Sequence, residues 1–179
     1  MSEDGGAAVA LSSGHDARDT PAVGVASSNE KSTTHRLAGV KTLNAAVARE
    51  RFDHALEAHR PEMGRFFLAH FLGFQFDYTD DSCTIRFDVH DFMCNPKGTL
   101  HGGIIATALD TSMGHLVAHL HAPASTVEMK TQYLRAVKPG PCEVKATVLK
   151  RGKSLWFLEA SLYNAEGDRA AFATATWAA

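Results

Sequence analysis

Strict alternation of apolar and polar side chains runs through several stretches of this chain. Across residues 83–90, Ile85, Phe87 and Val89 fall on one side and Thr84, Arg86, Asp88 and His90 on the other, the period of a half-buried strand. Val127, Met129, Thr131 and Tyr133 alternate in the same way with Glu128, Lys130 and Gln132. So do Cys142, Val144, Ala146 and Val148 with Glu143, Lys145 and Thr147. Two further strands are predicted over 155–163 and 169–177. The links Lys138-Pro139-Gly140-Pro141, Arg151-Gly152-Lys153 and Asn164-Ala165-Glu166-Gly167-Asp168 are short and turn-like, which implies an antiparallel meander. Between these strands the period changes. Ile105, Leu109, Ser112, Leu116 and Leu120 recur at helical spacing over 101–120, and Ile104, Ala106, Ala108, Val117 and Ala118 make the other sides apolar too. A helix apolar nearly all round is a buried one. The simplest architecture is α+β, one antiparallel sheet curled around a central helix.

The first part of the chain reads differently. Leu43, Val47, Phe52 and Leu56, with charges interspersed, fit one or two amphipathic helices within 35–59, ending near Pro61. Phe66, Phe67, Leu68, Phe71 and Leu72, with Gly73 behind them, fit a short helix feeding a strand. All the aromatic residues lie from Phe52 onward, and residues 1–34, rich in Ala, Ser, Gly and Asp, cannot bury enough apolar surface to order themselves. Glu3, Asp4, Asp16, Asp19 and Glu30 argue against a targeting presequence, which is poor in acidic residues. The expected organisation is a disordered tail over 1–34, a helical extension over 35–63 and one folded domain over 64–179.

Charge narrows the function classes. With 18 Lys and Arg against 20 Asp and Glu in 179 residues, and the cations scattered, the chain has no broad cationic surface for nucleic acid. No run approaches the roughly 20 apolar residues that span a bilayer. Cys83, Cys94 and Cys142 are odd in number and widely spaced, and no secretory signal precedes them. They read as reduced thiols in a cytoplasmic protein.

The candidate chemistry lies at the central helix. Between Lys97 and Glu128 the only charged residue apart from histidines is Asp110, set in the apolar helix. A buried carboxylate needs a partner or a role. Hydrogen bonds from the hydroxyls of Thr107, Thr111 or Ser112 would be structural, whereas activation of a water would be catalytic. The run from Asn95 through Gly98 and His101 to Gly102 and Gly103 leads straight into the helix. Glycines at a helix start leave backbone N–H groups able to meet an oxygen acquiring negative charge, although a Gly pair also serves a tight turn. His101 and Asp110 are nine residues apart, which puts them on opposite sides of the helix and roughly 13 Å apart along its axis. Acting on one bond, they would have to come from two different subunits of a symmetric dimer.

Asn95, Gly98, His101-Gly102-Gly103, Asp110, Ser125-Thr126-Val127-Glu128-Met129, Tyr133-Leu134-Arg135 and Arg151-Gly152-Lys153-Ser154-Leu155 occur in an order that resembles the hot-dog-fold acyl-CoA thioesterases. The branch it is most similar to holds phenylacetyl-CoA thioesterase and thioesterase superfamily member two, and the likeness runs from about Gly64 to Trp177. It implies a hot-dog fold and cleavage of an acyl-CoA, at a dimer interface, to free acid and CoA. It implies a carbonyl-polarising N–H at Gly102, an orienting Asn95, and a His101 that shapes the loop and contacts the thioester. It also implies a carboxylate at Asp110, delivered from the partner subunit, as base or nucleophile. Thr126 stands where related enzymes carry a water-orienting serine. Gly103, Arg151 and Lys153 would meet substrate, the two cations at CoA phosphates, with Arg135, Lys138 and Lys150 as further cations at strand ends. Phe66, Phe67, Phe71, Phe74 and Met113 would suit a medium to long chain or an aromatic acyl group, although plain core packing is the expected role of the aromatics in the 66–72 run. A homodimer is the minimal unit and a homotetramer the expected assembly, with no metal and no cofactor.

Four other readings compete. Cys94 beside Asn95 invites a thiol nucleophile, which would need an adjacent base. His115, His119 and His121 could hold zinc, but no carboxylate or cysteine ligand accompanies them in the sequence. A non-catalytic acyl-CoA binder, or a thioesterase acting on acyl carrier protein, would keep the fold.

Overall fold

The computed structural model describes residues 43–178. The expected tail over 1–34 lies outside the described residues. In chain order the elements are α1 (Ala45–Ala58), α2 (Phe67–Leu72), β1 (Gln75–Tyr78), β2 (Ser82–Val89), a single 3-10 turn (Asp91–Met93), α3 (Gly102–Leu120), β3 (Ser125–Tyr133), β4 (Gly140–Arg151), β5 (Leu155–Tyr163) and β6 (Arg169–Ala178). The strands form one six-stranded sheet, every pair antiparallel, in the order β1-β2-β4-β5-β6-β3. α3 packs across β2 to β6, so the sheet wraps around a central helix. Its inner residues Ile85, Val144, Leu158 and Leu162 close on Leu109, Met113 and Leu116 of α3, all fully buried. Burial of side chains this size drives the collapse.

The N-terminal helices are local additions. The Asn44 side chain caps α1 by accepting from Val47 N. Only Ala55 of α1 is buried, while Leu43, Phe52 and Leu56 are about half exposed. α2 ends at Gly73 in the left-handed conformation (φ 70°), which lets the chain turn at once into β1. The Arg51 guanidinium lies 3.1 Å from where a Gly73 Cβ would stand.

β3 is an edge strand, paired only with β6. Its register shifts between Thr126 and Glu128, where Val127 is an extra residue without a partner on β6. Side chains alternate, so Thr126 and Met129, three apart, would otherwise point to opposite faces. The bulge at Val127 puts both on the face toward α3, opposite Trp177 and Ala175.

Candidate active site

α3 begins at Gly102, with His101 as its N-cap. The ring Nδ1 of His101 accepts from Gly103 N at 2.9 Å. One of the first free N–H groups of the helix is thereby satisfied, and Gly103, expected to meet substrate, has its N–H engaged within the chain. The Gly102 N–H makes no hydrogen bond among the described residues. Tyr133, at the far end of β3, packs against this glycine and donates its hydroxyl to Gly102 O at 3.1 Å. Asn95 is committed to its own loop: Nδ2 donates to Thr99 Oγ1 (3.0 Å), and Oδ1 accepts from Lys97 N (2.8 Å) and Thr99 N (3.4 Å). An Asx turn of this kind fixes the approach to the helix.

Two turns into α3, Asp110 is half-buried rather than enclosed, on the side of the helix facing β3. Its Oδ1 accepts from Thr126 Oγ1 at 2.8 Å. The purely structural pairing is not realised, because Thr107 donates to Gly103 O and Ser112 to Leu109 O instead. A hydroxyl held on one carboxylate oxygen fixes the carboxylate's orientation and leaves the second oxygen for a water.

Beside Asp110 opens a pocket of about 200 Å³. Phe66 lines it, but the other aromatics suited to an acyl group do not. Phe74 and Met113 are in the core, whereas Phe67 and Phe71 pack on Phe52 of α1, at 5.5 and 6.3 Å between ring centroids. Their place is taken by His115 and Trp177. His115 is buried, its ring stacked on Phe76 at 4.0 Å, and its Nδ1 lies 2.7 Å from the Tyr78 hydroxyl. Burial pulls the His115 imidazole down to about 4, so it is neutral at neutral pH, and pushes the Tyr78 hydroxyl up to about 12.

The central part of the chain also matches a known family. Residues 97–171 match the Thioesterase superfamily. Over that stretch the chain is similar to the thioesterase superfamily. The matched region takes in Gly102, Asp110, Thr126 and the Arg151–Lys153 turn, and leaves Met63, Phe66, Asn95 and Trp177 outside it. Acyl-coenzyme A thioesterase 13 of Homo sapiens is 40% identical over 73 residues, 39% of this chain and 52% of that one. A candidate esterase of Saccharolobus solfataricus is 28% identical over 113 residues, 62% of this chain and 75% of its own length. The chain thus spans three-quarters of the archaeal relative and about half of the human one. A Streptococcus mutans protein solved with acetyl CoA bound superposes with a TM-score of 0.56 at 22% identity, over 59% of this chain and 86% of that one. That likeness shows the fold, and with it the expected antiparallel sheet around a helix is a hot-dog thioesterase fold.

The remaining residues singled out from the sequence fall as follows. Cys94 is partly buried, its Sγ donating to His90 O at 3.5 Å. Burial first, and then the Asp91 carboxylate, raise its thiol above the ordinary value. A thiol held protonated, with His101 turned to its own helix, is a poor nucleophile. Of the three histidines, His115 and His119 both contact Tyr78, the first through its ring nitrogen and the second by stacking, while His121 stacks on Trp156. No three metal-ligating groups converge among the described residues. Arg151 lies over the Trp156 ring at 5.1 Å. Arg151, Trp156, Trp177 and Thr126 are successive partners across four neighbouring strands, a row about 14 Å long that runs from the cation to the Asp110 partner. In the turn, a Cβ on Gly152 would come within 2.5 Å of Leu155 O, so only glycine fits between Arg151 and Lys153.

Proposed function

We propose that this chain hydrolyses acyl-CoA thioesters to free acid and CoA, at a site shared between two copies paired along β3. The observation that carries the reading is the Thr126–Asp110 hydrogen bond, which orients a carboxylate at the mouth of a pocket. Asp110 draws a proton from a water, whose oxygen bonds to the thioester carbonyl carbon. The carbonyl oxygen becomes negative against the Gly102 N–H at the positive end of α3. The intermediate then collapses, the C–S bond breaks, and the CoA thiolate takes the proton held by Asp110. A thioester carbonyl is electrophilic enough for one donor and one base to suffice. Arg151 and Lys153, exposed at the β4–β5 turn, meet CoA phosphates. Acyl-CoA as substrate follows the name of the human relative.

The pairing follows from β3. It is an edge nine residues long, exposed along most of its length, with Val127 at 60% and Tyr133 at 54%. Such an edge invites a second strand. A two-fold axis near Met129 and Lys130 sets Thr126 of one copy against Tyr133 of the other. Because Asp110 binds Thr126 and Gly102 binds Tyr133, each carboxylate then faces the helix start of the other copy. Leu155 and Phe157, about 40% exposed on the outer face of the sheet, offer a surface for pairing dimers into a tetramer. Residues 64–179 form the catalytic unit, and the three free thiols suit the reducing cytoplasm.

The test is release of free thiol from acyl-CoAs by wild type and by Asp110→Asn. Loss of about 10²-fold or more in turnover with the fold intact is expected, the scale of a lost general base. Wild-type-like turnover in the folded variant would overturn the reading. Single turnover in ¹⁸O-water tests the other role of the carboxylate: label entering Asp110 itself marks it as the nucleophile.

A further inference from the structure

The pocket beside Asp110 is lined by residues that differ in burial. Trp177, 5% exposed, rests its ring against Gly114 of α3 so closely that a Cβ there would stand 2.5 Å from the indole edge. His115, 2% exposed, is held by the Phe76 stack and the Tyr78 hydroxyl. Neither ring can swing aside without breaking buried contacts. The pocket is also lined by Met63 and Phe66, from the segment between α1 and α2; Met63 is 48% exposed, and the Phe66 ring lies 6.3 Å from that of His115. This segment precedes the part of the chain that matches the thioesterase superfamily.

Volume then decides what fits. The pocket holds about 200 Å³, below the ~300 Å³ at which drug-sized ligands begin to be enclosed. Resting on the acyl-CoA reading, we propose that the pocket receives compact acyl groups of about eight heavy atoms or fewer, scaled from a ~150 Å³ apolar cavity that holds benzene, and that Met63 and Phe66 set this limit. A short or single-ring acyl group packs against Phe66, Trp177 and His115 while its carbonyl stays beside Asp110. A longer chain meets Trp177 and has to leave past Met63 into water, losing apolar burial for each further methylene.

The experiment measures kcat/KM for butyryl-, benzoyl- and dodecanoyl-CoA with wild type, Phe66→Ala and Met63→Ala. Wild type is expected to favour the two compact substrates over dodecanoyl-CoA by at least about tenfold. Phe66→Ala is expected to raise the dodecanoyl-to-butyryl ratio by about tenfold, and Met63→Ala, on a half-exposed side chain that leaves the fold alone, by a smaller factor in the same direction. Equal efficiency of wild type on all three, or an unchanged ratio in both variants, would overturn the proposal. If wild type cleaves none of them, the hydrolase reading fails by itself, and calorimetric titration of the same three acyl-CoAs tests the pocket. Tighter binding of the compact pair supports the size limit; equal binding, or none, overturns it.

Discussion

Gly102 is the residue whose backbone does more than its absent side chain. It occupies the first helical position after a His101 cap in the extended conformation (φ −64°, ψ 134°), and the Gly102 N–H is free among the described residues. Proline is favoured at that helical position, and the residue before a proline prefers the conformation His101 already has. Gly102→Pro therefore deletes one N–H with little disturbance of the helix. Turnover is expected to fall about 10²- to 10³-fold at an unchanged melting temperature, the size of a lost oxyanion donor; a folded variant with full activity would remove Gly102 from the mechanism. Asp110 and Gly102 both stand out in the sequence as candidates, one as a lone charge in an apolar helix, the other as a glycine at a helix start. Thr126 was legible only through the family resemblance, because nothing local ties a strand residue to a carboxylate sixteen positions earlier. Asn95 and Gly103 show where the pattern stops: both stand where the motif puts them, but their hydrogen bonds close within the loop and the cap.

Among the elements, α3 and strands β2 to β6 could be read from periodicity to within a residue or so of most ends. The helix period is unmistakable over nineteen residues. β1 could be anticipated only as a strand following α2, since its four residues are too few to alternate convincingly. The bulge at Val127 was hidden as well. Alternation over 127–133 is real, but it assigns Val127 to the inner face, whereas the structure leaves that side chain 60% exposed. Phe67 and Phe71 have the packing role expected of them, but helical spacing makes them neighbours only of each other, and it is α1, which brings Phe52, that decides what they pack against. β1 also supplies Phe76 and Tyr78, the partners that bury His115 in α3. A neutral native imidazole near 4, against about 6.5 in the unfolded chain, means that only the unfolded state takes up a proton between those values. Stability is therefore full above pH 6.5 and falls as pH drops toward 4, by a total on the order of 3 kcal/mol. Thermal melts of wild type and His115→Gln from pH 7.5 to 4.5 should show the steeper acid decline in wild type; parallel curves would remove His115 as the cause.

For the whole molecule the decisive question is whether one chain holds a complete site. Asp110→Asn and Gly102→Pro should each be inactive alone. If carboxylate and N–H come from different copies, dimers formed by co-refolding the two variants contain one intact site each. A statistical mixture then recovers about a quarter of wild-type activity. No recovery, with mixed dimers demonstrated by mass, would put both groups of a site in the same chain. The contact between Gly114 and Trp177 constrains how this sequence can drift. Gly114 sits mid-helix, where alanine is intrinsically better by about 1 kcal/mol, yet its missing Cβ is the space that the Trp177 ring fills. Any stabilisation scheme guided by helix propensity would choose that glycine and overpack the core, at about 1–3 kcal/mol. The two positions have to change together: Gly114→Ala should be tolerated with Trp177→Phe and damaging without it. A double-mutant cycle read by denaturant melts would measure that coupling, and additive effects would mean that the ring has room to move.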